Sequence, residues 1–217
     1  MTEPVVLLIN PNSSDEVTRI IDDVAERYRG NGIRYVTVQV ASNPPAIETV
    51  DDEILAVRGL LASVPEWRDR FDVTAAVVAC FGDPGVAELR HATGRPVHGI
   101  AYEAMRSAVD RGSRFSIVCA LPSAVSIMND LAAQYGWTDI LVSVRPLGMS
   151  VLDIAAAPEE AATRLAEVIE QCVTDGADAV CLGCASMTPL AATLRSSAGV
   201  RVIDGVEAAI TAINAHL

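Results

Sequence analysis

Two cysteines of this 217-residue chain occupy matching places in two similar stretches of sequence. Cys80 follows the apolar run 75–79, and Cys184 follows the apolar run 179–182. Short apolar runs of this kind are typical of buried strands. A thiol in such a place can act as a nucleophile or carry a proton, and two of them can serve one substrate from two sides.

A helix-start signal follows each cysteine. Asp83-Pro84 comes after the first and Thr188-Pro189 after the second; Asp and Thr cap helices, and proline is tolerated at the first helical position. Each thiol is therefore predicted in the turn between a strand end and a helix N-terminus. Backbone N–H groups and the helix dipole favour negative charge there, so we expect the pKa of both thiols to be lowered.

The similarity extends beyond the cysteines and indicates a duplicated half-chain. Cys184 lies 104 residues after Cys80, and Arg195 lies 105 residues after Arg90. Gly199 follows Gly94 at the same spacing of 105 residues. A repeat of this length is a domain-sized unit rather than a solenoid repeat.

The duplication predicts an α/β fold of two pseudo-symmetric lobes with parallel sheets and an active-site cleft between them. Ligands of open α/β sheets bind outside the carboxyl ends of the strands, so both thiols would face one ligand. We assign residues 1–97 together with 205–217 to the first lobe. Residues 98–204 form the second lobe, and the last helix is expected to pack on the first.

Composition excludes several classes of protein. Hydrophobic residues make up 51% of the chain, which suits parallel sheets covered by helices. The formal charge of −12 argues against a nucleic-acid partner. No apolar run approaches the roughly 20 residues that a membrane span needs, which argues against a membrane partner. The visible N-terminus carries no signal peptide, and five cysteines without one favour a reducing cytoplasm.

The remaining cysteines invite two further interpretations. Cys181 and Cys184 have the C-x-x-C spacing of redox motifs and of half zinc sites, and both alternatives stay open here. No second C-x-x-C exists, and the three histidines lack zinc-ligand spacing, so no metal site is assigned. Cys119, Cys172 and Cys181 are expected to be small buried hydrophobes.

Polar groups at other predicted strand ends could contact a substrate. The loop 10–14 offers Asn10, Asn12 and Ser13 at the level of the cysteines, although Asn12 or Ser13 could instead cap the next helix. The equivalent loop of the second half keeps Ser123 as its polar group. No nucleotide fingerprint or G-x-S-x-G elbow is present. Two facing thiols without an obvious base suit proton transfer, one removing and one delivering a proton.

Three motifs together resemble the aspartate/glutamate/hydantoin racemase superfamily. They are the stretches 9–14 (INPNSS), 79–85 (ACFGDPG) and 182–185 (LGCA). The second has the form seen in the hydantoin and allantoin racemase branch. Similarity covers essentially the whole chain. Three departures are Ser186 after the second cysteine, Cys119-Ala120 where related sequences carry Thr-Thr, and the stretch 98–103.

The resemblance implies a cofactor-independent racemase with catalytic Cys80 and Cys184, Rossmann-like lobes and assembly into homo-oligomers. Its substrate would be a small molecule, a 5-substituted hydantoin or allantoin, that loses and regains a proton at C5. Asn10, Asn12 and Ser13 would hold the ring, with Ser123 the second lobe's counterpart. Phe81 and Ile47 would shape the pocket. Backbone N–H groups of Phe81, Gly82, Ala185 and Ser186 would meet the developing negative charge.

Other functions remain open at this point. The superfamily also contains maleate cis–trans isomerases, amino-acid racemases and decarboxylases. Arylmalonate-type decarboxylases keep only the second cysteine, so Cys80 argues against that reaction. Outside enzymes, the same two-lobed scaffold could serve as a ligand-binding sensor without turnover.

Overall fold

The computed structural model describes residues 3–217, which form two sheets of four parallel strands. The first sheet has the order β2-β1-β3-β4 and the second the order β6-β5-β7-β8. All six strand pairings are parallel. The strands are β1 Val5–Asn10, β2 Arg34–Gln39, β3 Val73–Val78, β4 Val97–Gly99, β5 Phe115–Cys119, β6 Leu141–Pro146, β7 Ala179–Leu182 and β8 Arg201–Asp204.

The central strands are mostly apolar because helices cover both faces of each sheet. Every residue of β1 is buried, and so is every residue of β5 and β7. Residues of the edge strands β2 and β6 are mostly half-buried. The predicted α/β fold with parallel sheets is therefore confirmed.

Nine α-helices surround these sheets within residues 3–217. They are α1 Asp15–Glu26, α2 Val50–Arg70, α3 Val86–Thr93, α4 Ile100–Val109, α5 Ala124–Gln134, α6 Val151–Ala156, α7 Pro158–Thr174, α8 Ala191–Ser197 and α9 Gly205–Asn214. A 3₁₀ helix, Ala185–Leu190, precedes α8. No helix in this part of the chain has the length and apolar character to cross a membrane.

Two arginines show the duplication in three dimensions. The Nε of Arg90, in α3, donates to the carbonyl of Val97 at 2.8 Å. The Nε of Arg195, in α8, donates to the carbonyl of Val202 at 2.9 Å. Each arginine thus joins the helix after a cysteine to the next strand of its own sheet. These matching arginine bonds and the equivalent strand orders show that the two halves have the same architecture.

Helices α4 and α9 pack against each other between the two halves. Helix α4 contacts β5, β7 and β8, whereas α9 contacts α1, β3 and β4. Their close approach requires a glycine, because a Cβ on Gly205 would lie 2.7 Å from the carbonyl oxygen of Ile100. The helix that follows the last strand of each sheet, α4 after β4 and α9 after β8, therefore packs against strands of the other sheet. The predicted lobe boundaries at residues 97/98 and 204/205 stay a prediction.

The predicted helix start at Asp83-Pro84 is wrong. Helix α3 begins only at Val86, with Gly85 as its N-cap, and Asp83 adopts a left-handed backbone conformation with φ 47°. Its buried carboxylate instead accepts the N–H groups of Ala101 and Tyr102, at 2.9 and 2.8 Å. Asp83 therefore caps α4, whose own N-cap residue is a glycine without a side chain.

In the second half, too, a carboxylate caps the helix that follows the last strand of the sheet, but the residues involved are different. Thr188-Pro189 lies inside the 3₁₀ helix, so the predicted helix start there is also wrong. The hydroxyl of Thr188 donates to Asp204 at 2.6 Å, and Asp204 itself caps α9 by accepting the N–H of Glu207. In both halves a carboxylate satisfies the N-terminus of the helix at the lobe interface.

Candidate active site

A cavity of about 50 Å³ lies between the carboxyl ends of the two sheets, and both Cys80 and Cys184 line it. Cys80 comes two residues after the end of β3, and Cys184 comes two residues after the end of β7. Parallel strands place these turns at one edge of each sheet, and the two edges face each other. The volume is below the roughly 300 Å³ of a typical ligand pocket.

The structure brings five of the nine predicted binding residues to this cavity. They are Asn12, Ile47, Phe81, Gly82 and Ala185. The sequence interpretation missed most of the remaining wall, which comprises Val17, Glu48, Thr49, Glu53, Ala79, Ala120, Leu121, Ala124, Ile127, Met128, Val151 and Gly183. Apart from the thiols and a few polar groups, the cavity is therefore apolar.

Four predicted binding residues do not line the cavity. Asn10 is fully buried beneath it, and Ser13 uses its N–H to bond the carbonyl of Pro44. Ser123 is exposed and donates its hydroxyl to the carbonyl of Glu48 at 3.0 Å. Ser186 is buried beside Cys184. Direct contact of these four residues with the substrate stays a prediction.

Asn10 is the centre of a buried polar network that builds the β1–α1 turn. Its Nδ2 group lies 2.8 Å from Asn12 Oδ1, 3.2 Å from the Ser14 carbonyl and 2.9 Å from Thr18 Oγ1. Ser14, rather than Asn12 or Ser13, caps α1 by accepting the N–H of Val17. The asparagine at the strand end therefore bonds polar groups of a largely buried turn.

Asn12 carries the free hydrogen-bond donor of this turn. Its Oδ1 accepts both the Nδ2 group of Asn10 and the N–H of Ser14, at 2.8 and 2.9 Å. A backbone N–H can only donate, so the amide orientation is settled by its partners. The Nδ2 group of Asn12 is thereby left without a partner among the described residues, at a residue that lines the cavity.

Burial raises the pKa of the Cys80 thiol to about 12, so the expected lowering is wrong. The backbone N–H of Gly82 acts in the opposite direction, while negative charge on Glu53, Cys184 and Asp83 raises the pKa further. Because α3 starts six residues later, its N-terminus is too far away for the dipole to compensate.

The same kinds of interaction shift the pKa of the Cys184 thiol. Burial raises its pKa, the backbone N–H and hydroxyl of Ser186 lower it, and Glu48 and Asp204 raise it. In each half the opposing N–H belongs to the second residue after the cysteine, Gly82 or Ser186. The two thiols also disfavour each other's ionisation, since Cys184 is among the charges that raise the pKa of Cys80. One thiol therefore stays protonated when the other ionises.

The segment 43–53 of the first half closes the cavity and is tied to the second half. The carboxylate of Glu48 accepts the N–H of Val151 at 2.7 Å, at the start of α6. Asn43 anchors the base of the segment through the carbonyls of Pro11 and Ala56. The carboxylate of Glu53 lies on the same wall, in the first turn of α2.

Thus the site contains two carboxylates, those of Glu48 and Glu53, that the sequence analysis did not assign to it. Three consecutive acids, Asp51, Asp52 and Glu53, are an ordinary helix-start signal, and Asp52 does form a capping box with Thr49. Because this signal explains all three acids, it gave no reason to assign Glu53 to the cavity that it lines. Glu48 stands next to Ile47, whose assignment to the pocket was the available clue.

No group of three or more His, Cys, Asp or Glu side chains in residues 3–217 has an arrangement that could hold a metal ion. Cys119, Cys172 and Cys181 are fully buried, and all five cysteines have free thiols. Cys181 lies within β7 and does not line the cavity.

The Asp/Glu/Hydantoin racemase family matches residues 6–213. The chain belongs to this family. It is 36% identical to the hydantoin racemase of Rhizobium meliloti, over 97% of this chain and 87% of that protein. It is 34% identical to the hydantoin racemase of Pseudomonas sp. (strain NS671), over 94% of this chain and 82% of the relative.

Among solved structures, the allantoin racemase from Klebsiella pneumoniae superposes with a TM-score of 0.88 and 32% identity, covering 98% of this chain and 86% of that one. The chain is therefore a racemase, and the resemblance noted in its motifs is confirmed. The two-lobed architecture is that of its family.

Proposed function

We propose that this racemase inverts C5 of a 5-substituted hydantoin or of allantoin: one of Cys80 and Cys184 removes the C5 proton, and the other delivers a proton to the opposite face. The observation that carries the proposal is the placement of both thiols at equivalent strand ends on one cavity. The relatives named hydantoin racemase and the structural neighbour named allantoin racemase support this substrate class.

The chemistry follows from the opposed thiols. One cysteine, as thiolate, takes the C5 proton, which the neighbouring ring carbonyl makes acidic. The other, as thiol, delivers a proton to the opposite face, and the product has the inverted configuration. The mutual repulsion of the two ionised sulfurs keeps one base and one acid in the site.

The charge that develops on the ring carbonyl oxygen needs a donor. The unpartnered Nδ2 group of Asn12 is suited to this role because it lines the cavity and the turn beneath it is rigidly bonded. The N–H groups of Gly82 and Ser186 are directed at the sulfurs. We assign them to stabilising the transient thiolates rather than to holding the substrate oxygen.

The other reactions of the superfamily suit this cavity less well. Amino-acid racemisation, maleate isomerisation and arylmalonate decarboxylation all act on carboxylates. Two carboxylates, Glu48 and Glu53, line this cavity, and no Lys, Arg or His is among the residues that line it. An anionic substrate would meet like charge in an apolar surrounding, where repulsion is strong. A neutral cyclic ureide meets no such penalty.

A polarimetric screen tests the proposal. Pure enantiomers of allantoin, several 5-substituted hydantoins, free amino acids and a maleate control are each incubated with the protein. We expect optical rotation to decay for allantoin or a hydantoin well above the uncatalysed rate. Turnover confined to amino acids or maleate would replace the proposal with another reaction of the superfamily. Binding of a ureide without turnover would support the sensor alternative.

The raised thiol pKa values predict a pH dependence. Activity needs one thiolate, and with the pKa of both thiols raised, that form is scarce at neutral pH. We expect kcat/KM, which reports the free enzyme, to rise close to tenfold per unit from about pH 6 to about pH 8. Rates are corrected for spontaneous racemisation at each pH. A flat profile across this range would mean that a thiol ionises below it.

Two expectations from the sequence stay predictions: assembly into homo-oligomers and a cytoplasmic location. Sedimentation of the purified protein would test the first.

A further inference from the structure

The carboxylate of Glu53 lies beside Cys80 and has no hydrogen-bond partner among the described residues. It is half-buried in the cavity wall, where burial and the nearby Asp83 raise its pKa. Asp52, its neighbour in the first turn of α2, accepts the N–H groups of Glu48 and Thr49 and the hydroxyl of Thr49 through its Oδ2. Glu53 therefore contributes a polar group to the cavity that the fold itself does not consume.

Gly82 makes the room for this carboxylate. A Cβ built on Gly82 would lie 2.1 Å from Oε1 of Glu53, so any other residue would displace the acid. The equivalent residue of the second half is Ser186, whose side chain lies beside Cys184. The two halves thus differ at this position, and the difference admits a carboxylate next to one thiol.

Glu48, which carries the second carboxylate of the cavity, is hydrogen-bonded to other parts of the protein. Its Oε1 accepts the N–H of Val151 at 2.7 Å, and its backbone N–H and carbonyl bond Asp52 and Ser123. It links the halves of the molecule. Of the two acids on the cavity wall, Glu53 is thus the one whose carboxylate oxygens both lack a hydrogen-bond partner among residues 3–217.

We infer that Glu53 determines specificity for the charge of the substrate's C5 substituent. It favours substituents that carry a positive charge or N–H donors and rejects those that carry a carboxylate. This inference rests on the proposed function and narrows its substrate class. A hydrogen bond to a charged group contributes more binding free energy than a hydrogen bond between neutral groups. Attraction between unlike charges and repulsion between like charges are both stronger in a poorly solvated cavity than in water.

Matched pairs of substrates isolate charge from size. Hydantoins with a 5-carbamoylmethyl and a 5-carboxymethyl group are nearly isosteric and differ by one negative charge. A 5-(2-aminoethyl) and a 5-propyl hydantoin differ by one positive charge. For the wild-type protein we expect kcat/KM to favour the carbamoylmethyl and aminoethyl members by about tenfold or more.

Glu53→Gln keeps the shape of the side chain and removes its charge. We expect both preferences to fall severalfold toward unity. Neutralising Glu53 also removes a charge that raises the pKa of Cys80, but this acts on every substrate alike and cancels in the ratio of two kcat/KM values. The ratio therefore reports specificity rather than the reactivity of the thiol.

Two more variants sharpen the comparison. Glu88→Gln, on the exposed face of α3, changes the net charge of the protein equally and should leave both ratios as in wild type. Gly82→Ala should lower the ratios as Glu53→Gln does, because the new Cβ displaces the carboxylate. Combining Gly82→Ala with Glu53→Gln should lower them no further.

The outcomes separate this inference from the proposed function. If hydantoins are racemised with the expected preferences and Glu53→Gln removes them, the inference stands. If hydantoins are racemised but the ratios are near unity, or survive in both Glu53→Gln and Gly82→Ala, the inference is overturned while the proposed function holds. If neither a hydantoin nor allantoin is racemised, the proposed function fails, and the inference with it.

Discussion

Replacing Cys80 or Cys184 with alanine is expected to abolish racemisation, with a fall in rate of about a thousandfold or more. Both thiols are needed because inversion requires a base on one face of C5 and an acid on the other. Racemisation is followed by optical rotation on each pure enantiomer. A variant that still racemises near the wild-type rate would place that cysteine among the packing residues.

Proton abstraction alone needs only the thiolate on the correct side. Each single variant should therefore still exchange the C5 proton of one enantiomer with solvent, and the two variants should favour opposite enantiomers. The experiment incubates each enantiomer with each variant in D₂O and follows deuterium at C5 by mass spectrometry, after subtraction of spontaneous exchange. Exchange of the same enantiomer by both variants would indicate a one-base mechanism.

Cys181→Ala is the matched control for the loss of a thiol. Cys181 is fully buried in β7, three residues before Cys184, and does not line the cavity. Its truncation should cost of order 1 kcal/mol in the free energy of unfolding and leave both racemisation and exchange largely intact.

Gly99→Ala is expected to have the largest effect on stability, a loss of about 3 kcal/mol. A Cβ on Gly99 would lie 2.2–2.3 Å from all three carboxyl atoms of Asp83. The carboxylate cannot move aside, because it is held by the N–H groups of Ala101 and Tyr102 and by the hydroxyl of Tyr135 at 2.7 Å. For a chain of this size, thermal unfolding should shift down by roughly 10 °C.

A double-mutant cycle identifies the cause. Asp83→Ala alone leaves two helix N–H groups and a tyrosine hydroxyl unsatisfied and should itself be destabilising. In that background Gly99→Ala should cost less than about 1 kcal/mol, because the clash is gone. Gly94→Ala is the reference for open space: its φ of 65° is unfavourable for alanine, unlike the −98° of Gly99, but nothing lies near its Cβ position, so it should cost about 1 kcal/mol. Additive effects at Gly99 and Asp83 would contradict this account.

Much of the site could be predicted from local patterns. Apolar runs followed by Cys80 and Cys184 are short-range signals, and the structure places both thiols two residues beyond their strands on one cavity. The equal spacing of Arg90 and Arg195 indicated the duplication, and the structure shows in addition that each arginine bonds the next strand of its own half. Asn12, Ile47 and Phe81 reach the cavity for the same reason, because their loops leave the same edges of the sheets.

The sequence by itself determined the duplicated α/β architecture, the family and the meeting of two cysteines, because these depend on periodicity and order along the chain. Only the tertiary structure decided the direction in which the pKa of each thiol shifts: a helix-start signal favoured a lowered pKa, whereas burial raises it. Likewise, residues distant in sequence determine that Asp83 caps α4 rather than α3. Tertiary packing also places Glu53, an acid of a helix-start signal, on the wall of the cavity. Desolvation and long-range hydrogen bonds depend on what packs above a residue, and local sequence does not carry that information.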